Sequence, residues 1–241
     1  MAITTTSKRY QVSKAWHVIF FLIVIGEVLR RILVLPEEVE YIVKPMIMLW
    51  ISLYFTRFWR RGVSLIYLGM MFAFFFSWLG DVLLMFQQVN PFFFVTGLGA
   101  FLVAQCWYVF TFLRLNEGQK EVGLLKQKPW WIIPFLIVGG GLYWLLYPGM
   151  GEVLKVAVLF YEASILGMAL TAFNLKTGPN KAAAQRIFIG ALLFMSSDSV
   201  IALNRFFTEI AYAGYFIILT YIAAQYLIMT GVLKLIKEKN C

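Results

Sequence analysis

Asp198 stands inside an apolar run, GALLFMSSDSVIALNRF, from Gly190 to Phe206, with no lysine or arginine within one turn of it. A carboxylate at membrane depth needs a local partner, a water-filled cavity or a proton. Asp81 poses the same problem in SWLGDVLLMF. Ser77 lies one turn before it on the same face, and Gly80 leaves room for a neighbouring helix. If their helices are neighbours, the two acids share a depth. Two acids in a low-dielectric pocket do not both ionise readily, so one would stay protonated as general acid while the other accepts a proton. The competing reading is a pair of polar groups that stitch helices together.

Other polar residues could serve such a site. Arg205 follows Asp198 by seven residues, which is about 700° of helical turn and about 10 Å of rise. Asn204 and Arg205 would then lie at the membrane edge, where the arginine could hold a phosphate or simply snorkel to the interface. Lys44-Pro45 is read as the opening of a helix on that side. Its lysine could bind phosphate, pair with Asp81, or lie at the interface. Tyr161-Glu162 places an acid near the middle of another apolar segment, as a functional group or as a neutral acid bonded across helices. Gln105 and Tyr108 share one helix face, as do Tyr221 and Gln225. Glu27 has Arg30 and Arg31 three and four residues on and can be neutralised along its own helix. His17 is the single histidine. Its distance from the acids argues against a histidine-based triad or a zinc site. No Gly-x-Ser-x-Gly, phosphate-binding loop or dinucleotide fingerprint occurs. No cofactor or metal is implied.

These residues must be carried by membrane helices. The 241 residues are 61% hydrophobic and 14% charged, with 23 Phe and 8 Trp, and the mean hydropathy is +0.80. Soluble domains carry about 25% charge. The pattern predicts an all-α polytopic bundle with segments at about 16–35, 41–55, 64–86, 92–113, 130–147, 152–173, 186–206 and 212–235. The second is short, or extends through Arg57. The membrane domain then covers 16–236, between tails 1–15 and 237–241. Asn90-Pro91, Tyr147-Pro148-Gly149 and Thr177-Gly178-Pro179 mark helix breaks. Trp16, Trp59, Trp130 and Trp131 fall where interfacial anchors belong. The basic start leads into a charged first segment without a small-residue cleavage site, so no cleavable signal is expected. Cys106 and Cys241 suggest no disulfide scaffold.

The formal net charge is +9. Most of the lysines and arginines fall on the tails and on alternate links, including Arg57, Arg60, Arg61 and Arg186. Arg30, Arg31, Lys44, Lys155 and Arg205 fall on the other side. That asymmetry predicts a multi-pass protein with both termini in the cytoplasm, and marks the charge as topological rather than nucleic-acid-binding. Asp81 and Asp198 would then lie toward the non-cytoplasmic side.

The combined pattern resembles the YhhN/TMEM86 family of lysoplasmalogenases. The matching elements are Lys44-Pro45, Gly80-Asp81 with Leu83-Leu84, Gly97, Tyr108, Tyr161, and Gly190-Ala191-Leu192 with Phe194, Ser197-Asp198, Ala202 and Phe206. Tyr221, Gln225 and Gly231 extend it to the last helix. The resemblance implies hydrolysis of the vinyl ether of lysoplasmenyl-ethanolamine or -choline, releasing a fatty aldehyde and the glycerophospho-base. It implies Asp81 and Asp198 as the catalytic acids. Lys44, Gln105, Tyr108, Tyr161, Glu162, Asn204, Arg205, Tyr221 and Gln225 would contact substrate. The lipid would enter from the bilayer, without an obligate protein partner. The membrane would be the endoplasmic reticulum in a eukaryote or the inner membrane in a bacterium. Relatives commonly carry histidine where this chain has Gln105, which keeps hydrogen bonding but cannot shuttle a proton. A non-catalytic lipid-binding protein and a small-lipid transporter are the alternatives, although no internal repeat of the transporter kind is visible.

Overall fold

The computed structural model describes residues 14–33, 37–59, 62–117, 123–175 and 181–238. The expected N-terminal tail, Arg60-Arg61, the Thr177-Gly178-Pro179 break and Cys241 lie outside these. The described chain is all helix: α1 Lys14–Ile32, α2 Glu37–Phe58, α3 Leu65–Met85, α4 Phe92–Asn116, a short α5 Leu124–Gln127, α6 Ile132–Leu146, α7 Glu152–Asn174, α8 Lys181–Phe206 and α9 Ala213–Glu238. Single 3₁₀ turns at Pro129–Trp131 and Tyr147–Gly149 flank α6. Seven helices among the described residues are long and apolar enough to cross a membrane. They are α2, α3, α4, α6 with its flanking turns, α7, α8 and α9. The 19-residue α1 has Glu27, Arg30 and Arg31 near its end. These eight helices correspond to the eight expected segments, in one polytopic bundle.

Local chemistry sets several boundaries. Ser64 caps α3, its Oγ accepting from the Tyr67 amide at 3.3 Å, which satisfies one free N–H of the first turn. Asn90 does the same before α4, taking the Phe92 amide at 2.8 Å.

Two boundaries differ from the sequence reading. The second helix begins at Glu37, so Lys44-Pro45 does not open it and Pro45 lies inside it. The missing proline N–H removes one ladder bond, a loss that helices packed in a bundle tolerate. The seventh expected segment begins at Lys181, which makes Arg186 helical rather than part of a link. Three alanines after Lys181 favour helix over a loop.

The helices pack mainly as neighbours. α8 lies along α9, α3 along α4, and α4 also packs against α7. The α8–α9 seam is built on small residues. A Cβ on Gly190 would stand 2.9 Å from the Ala224 carbonyl oxygen, and one on Gly231 would stand 3.0 Å from that of Ala183. Only glycine allows that approach, and close backbone packing drives helix association where lipid is as apolar as leucine. A second aromatic assembly joins α1, α2 and α9, with Phe20 stacked on Trp50 and on Tyr226. His17 belongs to it, its Nδ1 lying 3.0 Å from the Tyr226 hydroxyl.

Candidate functional site

Two polar clusters occupy the middle of the bundle, joined through α4. The first is held by Asp198, which is 8% exposed. The Gln105 amide donates from Nε2 to Asp198 Oδ2 at 3.1 Å. The Tyr161 hydroxyl donates to the same oxygen. Ser164, one turn along α7 from Tyr161, donates to Gln105 Oε1 and to the Tyr161 carbonyl at 2.8 Å. Residues from α4, α7 and α8 thus converge on one carboxyl. Both bonds fall on Oδ2, and Oδ1 carries none among the described residues.

The second cluster joins α3, α4 and α9. Tyr221 donates to Asp81 Oδ2 at 2.7 Å, and Asp81 is 4% exposed. One turn away, Gln225 donates to Ser77 Oγ at 3.1 Å and accepts from the Tyr108 hydroxyl. The i, i+4 pairs Ser77/Asp81 and Tyr221/Gln225 form two rungs between α3 and α9. Gln105 and Tyr108, one turn apart on α4, link the clusters. Every tyrosine and glutamine expected at the site is therefore present there.

The two aspartates are not hydrogen-bonded to each other. The rings of Phe101, Phe194 and Tyr221 pack edge to face, with Phe101 and Phe194 each within 6 Å of Tyr221. Gly80 makes room for Phe101, since a Cβ there would stand 2.6 Å from the ring.

A pocket adjoins Asp198. Its walls come from the end of α3, the start of α4, the end of α6, the first half of α7 and the end of α8. They are mostly apolar, with Leu84, Phe94, Leu98, Phe101, Leu142, Leu146 and Ile165 among them. The polar groups on them are Tyr161, Glu162, Asp198 and Ser199. Such a lining, apolar with a few convergent polar groups, is of the kind that small-molecule sites have. Asp81 is not on the wall.

The outlying candidates divide. Arg205 is exposed and stacks its guanidinium over Phe94, 5.0 Å from the ring centre. Phe94 and Phe206 both line the pocket, so Arg205 stands at its rim. Asn204 turns away and accepts the Ile210 amide at 2.8 Å, ordering the α8–α9 link. Lys44 faces Glu40 at 3.8 Å, in a network where Arg30 reaches Glu40 at 2.8 Å and Arg31 reaches Glu27 at 2.8 Å. Glu27 is neutralised by Arg30 and Arg31, as its spacing required. Ser164 escaped the sequence reading because a mid-helix serine commonly bonds its own preceding turn. Its i+3 spacing from Tyr161 was the available signal.

A bundle of apolar helices that buries Asp81 and Asp198, the second of them lining an apolar pocket, defines a polytopic membrane protein. Residues 39–232 match the YhhN family, and the chain belongs to that family. It is similar to lysoplasmalogenase TMEM86A of Bos taurus, with 31% identity over 156 residues. The match covers 64% of this chain and 60% of that relative's length. No solved structure matches.

Proposed function

We propose that this chain is a lysoplasmalogenase-type hydrolase. It takes a single-chain vinyl-ether lipid from the bilayer and releases a fatty aldehyde and glycerophospho-ethanolamine or glycerophosphocholine. The observation that carries this reading is the state of Asp198 on the pocket wall. Tyr161 and Gln105 both occupy Oδ2, so a proton on this carboxyl belongs on Oδ1, the oxygen left without a partner. Hydrolysis of a vinyl ether begins with protonation of its β-carbon, which creates an oxocarbenium ion. An oriented carboxylic acid beside an apolar pocket suits that step, and the resulting carboxylate stabilises the cation it has made.

The apolar walls suit the alkenyl chain. Arg205 at the rim suits the phosphate. The helix rise of about 10 Å from Asp198 to Arg205 is a span that a glycerol backbone and the arginine side chain can cover together. Asp81 reaches the pocket through Tyr221 and the Phe101–Phe194 wall, which makes it a positioning acid rather than one that touches substrate. The basic-residue asymmetry supports termini in the cytoplasm and a pocket toward the opposite side. The membrane is the endoplasmic reticulum of a eukaryote or the inner membrane of a bacterium.

The test is aldehyde release from lysoplasmenyl-ethanolamine by the purified protein. Asp198→Asn is expected to lower kcat by about 10²–10⁴-fold. Asp81→Asn is expected to lose at least about tenfold less, because Tyr221 can still donate to the amide oxygen. Bound lipid with no turnover by the wild-type protein would make it a lipid-binding protein instead. Full activity in Asp198→Asn would remove that acid from the chemistry.

A further inference from the structure

The pocket contains a second carboxyl, Glu162, with no partner among the described residues. Glu162 follows Tyr161 on α7, and successive helical side chains point about 100° apart. Tyr161 therefore turns to α8 and Asp198, while Glu162 turns to α6. Its Oε1 lies against the one buried glycine of the Gly139-Gly140-Gly141 run, where a Cβ on Gly139 would stand 2.7 Å away. Glu162 and Asp198 line the same cavity.

Apart from Glu38, which is exposed, the other acids of the described helices whose side chains are described have partners. Glu27 and Glu40 hold Arg30 and Arg31, Glu152 holds Lys155 at 2.7 Å, and Asp81 holds Tyr221. Glu162 makes no hydrogen bond or ion pair among the described residues. A residue that stitches helices needs a partner across the interface, and Glu162 has none among the described residues. An unpaired carboxyl is costly at membrane depth unless water or substrate meets it.

We propose that Glu162 is the second catalytic carboxyl of this pocket, the base that activates the attacking water. The assignment rests on the hydrolase reading above. The proton balance closes with these two residues alone. Protonated Asp198 gives its proton to the β-carbon of the vinyl ether, and the double-bond electrons form the new C–H bond. This leaves an oxocarbenium ion and the Asp198 carboxylate. Water adds to the oxocarbenium carbon while the Glu162 carboxylate takes one of its protons, which yields a hemiacetal. Asp198 then removes the hemiacetal hydroxyl proton as Glu162 protonates the glycerol oxygen. The C–O bond to glycerol breaks, the aldehyde leaves, and both carboxyls return to their starting states. Two carboxyls that exchange acid and base roles in this way are familiar from acetal hydrolysis.

The experiment compares wild type, Glu162→Gln and Glu162→Ala on lysoplasmenyl-ethanolamine, with and without added sodium formate. Glu162→Gln is expected to lower kcat by about 100-fold or more while KM stays within about threefold. Formate, a carboxylate small enough for the vacated space, is expected to restore part of the kcat of Glu162→Ala, which a purely structural role would not allow. Gly139→Ala is a further variant that keeps the glutamate but displaces its carboxyl, and kcat should fall at nearly unchanged KM. An active wild type with Glu162→Gln at kcat within about threefold of it would overturn the role of Glu162 and leave the hydrolase reading standing. So would the absence of formate rescue in a folded Glu162→Ala, or an undiminished kcat in Gly139→Ala. No aldehyde from the wild-type protein would overturn both.

Discussion

Substitution of Gln105 separates an amide that orients Asp198 from one that only fills space. Gln105 is fully buried, donates to Asp198 Oδ2 at 3.1 Å and accepts from Ser164. Leucine has nearly the same volume and can make neither bond. Leaving a buried partner unsatisfied costs about 1–3 kcal/mol. Ser164 retains its bond to the Tyr161 carbonyl, so the Asp198 side should dominate, at about 1–2 kcal/mol. Loss of one of the two bonds that hold Oδ2 lets Oδ1 wander from the pocket, and a misplacement of that kind costs up to about 100-fold in rate. Histidine behaves differently. Its neutral ring has one donor and one acceptor nitrogen, and so reproduces the polarity of the amide between Asp198 and Ser164. Gln105→His should therefore keep kcat within about tenfold of wild type, while Gln105→Leu should fall below that. Aldehyde release and denaturant unfolding of the purified protein, on both variants and on a Gln105→Leu/Ser164→Ala cycle, check this. A coupling of about 0.5–1.5 kcal/mol between positions 105 and 164 is expected. Wild-type kcat in Gln105→Leu, or additivity within about 0.3 kcal/mol, would refute the orienting role.

Arg205→Ala should raise KM for the lysophospholipid by about tenfold, equivalent to about 1.4 kcal/mol, without moving KM for an alkenylglycerol that lacks phosphate. Equal KM values on the phospholipid would leave Arg205 as an interfacial side chain. Gly190→Ala should destabilise the protein by about 1–3 kcal/mol in unfolding measurements, because the new Cβ would meet the Ala224 carbonyl oxygen and the Ile228 amide nitrogen, both backbone atoms that cannot swing aside. An unchanged unfolding midpoint would show that α8 and α9 do not need the glycine seam.

The bundle itself was legible because the signal is collective. Each span sums some twenty apolar choices, and no local error changes the outcome. Single residues near helix ends were less legible. Lys44-Pro45 carries a first-turn signature, yet Glu37 and its neighbours continue the helix upstream, and the ion network with Glu40 then claims the lysine. Asn204 sits on the expected helix, but the α8–α9 link needs its carbonyl. The tyrosines, glutamines and aspartates were legible for the opposite reason. A polar group deep in an apolar run must find a partner, so spacing alone narrows the choices. What spacing could not supply was the partition among helices. Asp81 and Asp198 were expected at one depth, but only packing reveals that Asp81 is bonded to Tyr221 off the pocket wall while Asp198 lines it. The same packing sets Glu162 on the wall instead.

That partition bears on whether Asp198 is structural or chemical. A carboxyl kept only to tie helices together is best served with both oxygens bonded and the helices closed over it, since each unmet lone pair inside a membrane is a cost. Asp198 instead receives two donors on one oxygen, has no bond to the other among the described residues, and lines a pocket. The donors come from α4 and α7, and the tight α8–α9 seam fixes the helix that carries the acid. Three elements therefore hold one side of a carboxyl still and leave its other side to whatever enters. A stability device would forgo that arrangement, whereas the proposed role of Asp198 as proton donor to an apolar substrate would use it.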